Sequence, residues 1–564
     1  MPAKKLRSQR IPAKNAEIDG KHAIRKFRPC VLGVLLIAGG LWAQGASGQK
    51  PDQDPSQKQA DKSVHPTQPQ EEVKITPSEA EDLFHSVDEI LEFDSKETGL
   101  AVKRTVKRRL TSRDAVVKYL TGHMKDQDTR RLERSAQVLK KFGLLPRDFD
   151  LEKLLIALLR EQVAGYYDSK TKTVNLLDWI PPAEQEPVLA HELTHALQDQ
   201  AVGLEKFMKK GERDLAESKR GPTAEDIEND EMDNARQAVV EGQAETVMLD
   251  YALKPVGRSI ADSPEVVAAM VAEMNSGTAD SSVFKSAPLF LRESLTFPYN
   301  YGLKFEIRLM EVGGREKAFT GVLANPPHST RQIMQPETYM ADEKLEPMRV
   351  VDFARDFKNY DRFDVGAMGE FDTSVLIEQY AGKEIRQRLY QEWRGGYYYA
   401  ARPKGNSDGR LGVLYVSRWS NAEKAGEFAS VYARAMGQRY KQAKETGNVV
   451  EGGPPVEIAG EHADFKIDVL NGRHEWATEE GAVVIEVRGD TVLVTESLDA
   501  ATTAVVEKEV FSAVKKRLAG GSTGCALNSR GRLSPHDSCW VARNQKSFFR
   551  LSRMFSILYN QRFG

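Results

Sequence analysis

Two histidines and a glutamate stand together in VLAHELTHALQDQ, residues 188–200. On an α-helix, positions i and i+4 lie on one face a turn apart, so His191 and His195 can direct two imidazole nitrogens at one metal ion. Glu192 sits beside them. In a catalytic zinc site three protein ligands leave a position for water, and a nearby carboxylate takes that water's proton as it attacks a carbonyl. The five-residue pattern His-Glu-x-x-His carries this arrangement by itself. Val188, Leu189, Ala190, Leu193, Thr194, Ala196 and Leu197 around it are all uncharged. That suits a helix buried in a core with its metal face towards a cleft, which a pair of solvated histidines would not require.

A third ligand is still needed. A nearby third histidine would require a glycine and a histidine three and six positions after His195, where this chain has Gln198 and Ala201, so that class is excluded. A glutamate on a later helix is the other solution, and VVEGQAETVMLDY, residues 239–251, supplies one. Glu241 and Glu245 are again spaced i, i+4, and share one side of a helix with Ala238, Met248 and Ala252. Glu241 is the expected ligand and Glu245 the carboxylate that orients a ligating histidine through its second ring nitrogen. An ordinary acidic helix face is the competing reading, and Asp199 and Asp250 are the next candidate ligands. Tyr299, Tyr301 and His328 are candidate donors to the oxyanion of the reaction, a merely packed side chain being the alternative for each.

With these residues the chain resembles the glutamate-type zincins, or gluzincins, which include the thermolysin-like and zinc aminopeptidase families. Glu241-Gly242-Gln243-Ala244 is similar to the Glu-Gly-x-Ala helix that supplies their third ligand. HELTHALQDQ, with EQVAGYYD upstream and LTFPYNYG and NPPHSTRQI downstream, also resembles a group of exported bacterial zincin-like proteins. The resemblance spans roughly residues 155–340. It implies Zn2+ as cofactor, a protein or peptide substrate, and a mainly helical catalytic domain with a small edge β-sheet. By that analogy TVNLLDW, residues 173–179, would be the edge strand that pairs with an extended substrate, a buried structural strand being the alternative. Two departures limit the transfer. Val240 stands where the better-known families often have Asn, and the Gly-Ala-Met-Glu-Asn motif of exopeptidases does not precede the metal helix. Its look-alike Gly366-Ala367-Met368-Gly369-Glu370 comes far downstream with an inserted glycine, so aminopeptidase activity has no support.

The elements that must position these residues give an α+β fold. Helical patterning runs through much of 78–162, and VAGYYDSKTKTVNLLDW predicts a hairpin around Asp168-Ser169-Lys170. The motif helix follows the Pro181-Pro182 break, and a second long helix runs from about Ala224 to Leu253, acidic at its start as the helix dipole favours. These fall in an expected zincin-like domain over 76–404. From 405 to 520 a smaller α+β domain is expected. RLGVLYVSRW reads as a strand, NAEKAGEFASVYARAMGQRY as a helix, AVVIEVRGDTVLVTES as a hairpin around Gly489-Asp490, and AATTAVVEKEVFSAVKKRL as a helix. Residues 521–564 form a basic tail.

Upstream, Lys21, Arg25, Lys26 and Arg28 precede the apolar run CVLGVLLIAGGLWA and the small residues Ala46-Ser47-Gly48. That is the layout of a signal peptide over 1–48, which predicts export to the periplasm or the extracellular space; left uncleaved, the run would tether the protein to a membrane. The polar, proline-rich stretch 49–75 cannot bury enough surface to offset chain entropy and reads as a disordered linker. The chain has 564 residues, about three or four domains' worth. Its 80 Lys+Arg balance 82 Asp+Glu, so no basic field points to nucleic acid or to an anionic membrane surface. Of the three cysteines, Cys30 lies in the signal, leaving Cys525 and Cys539 either to form one disulfide or to stay as two thiols. The expected function is an exported zinc metalloprotease that hydrolyses peptide bonds with metal-activated water. The alternative is a zinc-containing but inactive binding or envelope-assembly module.

Overall fold

The computed structural model describes residues 74–116, 126–162, 165–208, 221–262, 281–449 and 468–519, with a few positions between 265 and 272. The expected signal segment, nearly all of the expected linker, Cys525, Cys539 and residues 521–564 lie outside the described residues. The linker's last residue, Ile75, belongs to the folded body, since its N–H donates to Asp178 O at 2.9 Å. No helix among the described residues is long and apolar enough to cross a membrane.

The fold is α+β. Its principal elements begin with α1 (Pro77–Thr98), β1 (Lys107–Thr111), α2 (Asp126–Phe142), α3 (Leu151–Gln162), β2 (Tyr166–Asp168) and β3 (Thr173–Leu177). The motif helix α4 (Pro182–Val202), the second long helix α5 (Ala224–Leu253) and α6 (Leu289–Glu316) follow. Then come β4 (Tyr360–Ala367), α7 (Glu370–Ala381), β5 (Trp393–Pro403), β6 (Gly412–Trp419), α8 (Ala422–Arg439) and β7 (Ala443–Val449). The chain closes with β8 (Gly472–Thr478), β9 (Gly481–Arg488), β10 (Thr491–Glu496) and α9 (Ala500–Ala519).

Local chemistry explains the two helices that matter most. Pro182 opens α4, where its missing N–H costs nothing, and Gly203 closes it with φ 71°. Helix α5 starts with a reciprocal cap in which the Thr223 side chain accepts from Asp226 N and the Asp226 carboxylate accepts from Thr223 N. Both boundaries match the sequence reading, as do the hairpin β2–β3 and the four expected elements between 412 and 519.

Two expectations fail. Strand β3 is not an edge: the small sheet has the order β1-β3-β2, with β1 parallel and β2 antiparallel to it, and all five β3 residues are buried. The missing partner is KRRLT, a charged segment with alternating exposure and no apolar pattern to announce a strand. Nor does a separate α+β unit begin at 405. The seven-stranded antiparallel sheet runs β4-β5-β6-β10-β9-β8-β7, so two of its strands precede that point, and Tyr397↔Val416 and its neighbours pair directly across it. One apolar core extends from Leu83 through Leu193 and Val240 to Val494, uniting the helical part with the sheet. A buried ion cluster reinforces the join. Glu496 on β10 pairs with Arg439 of α8 at 2.6 Å and lies 3.8 Å from Lys141 of α2, while the hydroxyls of Tyr432 and Tyr440 donate to it.

Candidate metal centre

Helix α4 lays its buried face against α5, and three side chains converge where they cross. Glu241 Oε2 lies 3.2 Å from His191 Nε2 and 3.5 Å from His195 Nε2, and the two Nε2 atoms are 3.1 Å apart. All three residues are fully buried. Among the described residues this is the one group of three or more His, Cys, Asp or Glu side chains placed to hold a metal ion. Burial pushes the Glu241 carboxyl up, but attraction and hydrogen bonding from His195 and His191 outweigh it and hold the group at about 2. A carboxylate therefore stands between two imidazoles whose Nε2 atoms face it.

Glu192 is also buried, and its Oε2 accepts a 2.8 Å hydrogen bond from Tyr167 N of β2. That places the outer strand of the small sheet, β2 rather than β3, beside the expected base. Tyr167 also ties down Asp199: its hydroxyl donates to Asp199 Oδ2 at 2.9 Å, and Lys172 Nζ reaches the same oxygen at 2.7 Å. Asp250 is engaged by Ile260 N at 2.8 Å and by the Arg315 guanidinium. Neither aspartate joins the metal group.

The oxyanion candidates separate by helical phase. Tyr299 and Tyr301 are two residues apart on α6 and so point to different sides of it. Burial raises the Tyr299 phenol well above its ordinary value, and Glu241 and Glu245 raise it further, so this tyrosine belongs to the metal group's surroundings. Tyr301 instead accepts a 3.2 Å hydrogen bond from Arg386 Nη2. His328 lines a different cavity of about 490 Å³ with Glu231, Arg331 and Trp393, formed by the start of α5, the 342–348 segment and β5.

What brings α6 so near is a pair of glycines. A Cβ on Gly242 would sit 2.3 Å from Gly302 C, and one on Gly302 would sit 2.1 Å from Ala238 O, so α5 and α6 touch backbone to backbone. Tyr299 lies one turn before that crossing. The glycine of the Glu-Gly-Gln-Ala segment thus serves the approach of the neighbouring helix.

Glu245 departs from its expected part. It is fully buried, neither carboxylate oxygen has a hydrogen-bond partner among the described residues, and burial, with Glu241 adding to it, raises its carboxyl well above the ordinary range. The residue that holds an imidazole is Gln198, whose Oε1 lies 2.8 Å from His195 Nδ1. The sequence contains the signal, an amide three residues after the second histidine on the same helix face, but i+3 spacing alone does not say which partner an amide takes.

No protein-family model matches this chain, and no curated protein or solved structure does either.

Proposed function

We propose that this chain is an exported zinc-dependent metallopeptidase of gluzincin type. The observation that carries the reading is the triangle of donor atoms with edges of 3.1, 3.2 and 3.5 Å. A tetrahedral ion bound at about 2.0–2.1 Å holds its donors about 3.3–3.4 Å apart, so His191, His195 and Glu241 are spaced as residues that would hold a zinc ion. Two neutral imidazoles and one carboxylate form the donor set that zinc takes in catalytic sites. Bound there, zinc would polarise a scissile carbonyl and acidify the water that attacks it.

The remaining work falls to residues of the chain. Glu192, with Oε2 fixed by Tyr167 N–H, accepts the water proton and passes it to the leaving amine. Tyr299, kept protonated by its surroundings, donates to the developing oxyanion. Residues 1–48 would direct the protein to the periplasm or outside the cell, or tether it to the membrane if retained.

The test pairs metal content with cleavage of a peptide library by the wild type and by Glu192→Gln. The variant should keep its zinc and lose hydrolysis by several orders of magnitude, because it removes the base and no ligand. Full activity in the variant refutes the mechanism. Zinc in both proteins with cleavage by neither identifies an inactive binding module instead.

A further inference from the structure

We infer that His195 is locked in a single tautomer by a relay of two glutamines, Gln198 and Gln243, whose direction is dictated by Val240 O at Gln198 and by two backbone carbonyls beyond α6 at Gln243. The inference rests on the metal-site reading and assigns both glutamines as positioning residues.

The relay can be read from its far end. The Gln243 side-chain nitrogen lies 2.8 Å from Ala318 O and 3.1 Å from Phe319 O. A carbonyl oxygen only accepts, so the terminal atom facing both must be the amide NH2. Gln243 Oε1 is then turned to Gln198 at 2.9 Å and has to accept. The Gln198 atom facing it must be Nε2, which also donates to Val240 O at 3.0 Å. Only Oε1 of Gln198 remains for His195, and since that oxygen accepts, the proton of the 2.8 Å contact sits on His195 Nδ1. In the neutral ring Nε2 then carries the lone pair, directed towards His191 and Glu241. Reversing either amide would set acceptor against acceptor at buried positions, where an unmet polar group costs about 1–3 kcal/mol.

Three properties make this a device for orientation and not merely packing. His195, Gln198, Gln243, Ala318 and Phe319 are all fully buried, so water cannot substitute for a missing link. The carbonyls belong to a π-helical turn, Lys317–Gly321, that follows a break in α6 at Gly314, where φ is 68°. Such turns inside helices are uncommon and recur at functional sites. Finally, an imidazole of the opposite tautomer would present N–H to the ion, which a ligand nitrogen cannot do. Partners of a ligating histidine typically set metal affinity by 10–100-fold.

The experiment uses the full chain, stripped of metal by a chelator and labelled with 15N-histidine, with the His195 signals assigned through a His195→Gln variant. Wild type should show His195 in the Nδ1–H form. Gln243→Leu touches neither imidazole but takes from Gln198 Nε2 one of its two acceptors, Val240 O remaining; it should weaken that preference and bind zinc about 10-fold more weakly in chelator competition. A carboxyl at 198 accepts from Nδ1–H through one oxygen and can meet Val240 O through an O–H on the other, so Gln198→Glu in the Gln243→Leu background should restore the Nδ1–H form and recover affinity, a rescue that loss of packing would not permit. If Gln243→Leu fails to fold, Gln243→Met takes its place with the same expectations, as it keeps the length of the side chain and cannot donate to the carbonyls. A Nε2–H wild type, or a folded Gln243 variant with unchanged tautomer and zinc affinity, overturns the relay. Neither readout involves peptide cleavage, so failure of the peptidase reading would leave this result standing.

Discussion

Replacing Gly242 by alanine adds one methyl group where the α5 and α6 backbones meet. The new Cβ would lie 2.3 Å from Gly302 C and 2.5 Å from Gly302 O. Carbon atoms rest about 3.5–4.0 Å apart, so the helices must part by roughly 1 Å or more, and the obstacle is backbone that cannot rotate away. Alanine gains about 1 kcal/mol of helix propensity over glycine. Overpacking costs about 1–3 kcal/mol, and a rigid neighbour places this case at the upper end, for a net loss near 2 kcal/mol. The same displacement carries Tyr299, one turn from the contact, away from the metal group. A 1 Å misplacement of a reacting group costs on the order of 100-fold in rate. Urea unfolding of the metal-free chain measures the first effect and kcat on a cleaved peptide the second. Gly302→Ala should behave alike, since its Cβ would meet Ala238 O at 2.1 Å. Wild-type stability and kcat in Gly242→Ala would refute the argument that this crossing sets the site.

The remaining predictions concern buried carboxyls. Glu496→Gln removes the charge between Arg439 and Lys141 and should cost about 3–5 kcal/mol in urea unfolding, because the buried Arg439 loses its carboxylate partner while Lys141 keeps only Glu480. Although burial pushes the Glu496 carboxyl up, Arg439 and Lys141 hold it at about 2. Its ordinary value is about 4.3, so its contribution is complete above that pH and fades as pH falls from about 4.3 towards 2, a slope the Gln variant should lack. Glu306 is the opposite case: it is fully buried and unpartnered among the described residues, and burial raises its carboxyl well above the ordinary range. Its contribution is whole below about 4.3 and is lost as pH rises, since only the unfolded chain releases the proton; Glu306→Gln should therefore gain on the wild type between pH 4.3 and 7. At the centre itself, Glu241→Ala should strip the metal in chelator titrations while Glu245→Ala retains it, and the reverse order would show that the ligand has been misassigned.

How far this was legible in the sequence depended on whether the information was local. His191, His195 and Glu241 follow from spacing on two helices whose caps and apolar faces are written in consecutive residues. Strands β6, β9 and β10 are near-continuous apolar runs and announce themselves too. Strand β1 hides in KRRLT, and β4 and β5 hide in YDRFDVGA and WRGGYYYAARP, where charges and a glycine pair interrupt the pattern. Their pairing is long-range, so no local window shows that the sheet continues across residue 404. Within the site the same limit applies. Choosing Tyr299 over Tyr301 requires the phase of α6 against α5, and finding Gln198 and the Tyr167 N–H requires knowing which segments face them.

The hydrogen bond from Lys141 Nζ to Ser497 Oγ, 2.8 Å long, joins residues 356 apart. Loop closure on that scale is slow to reward, and the core around α4 and α5 shares its side chains with strands made long after them. At about 5–20 residues per second, some 20–70 s separate the emergence of one end of this bond from the other. During that interval the motif helix exists without the sheet that completes its surroundings. The metal group on α4 and α5 therefore reaches its final surroundings only after the chain has been made through β10.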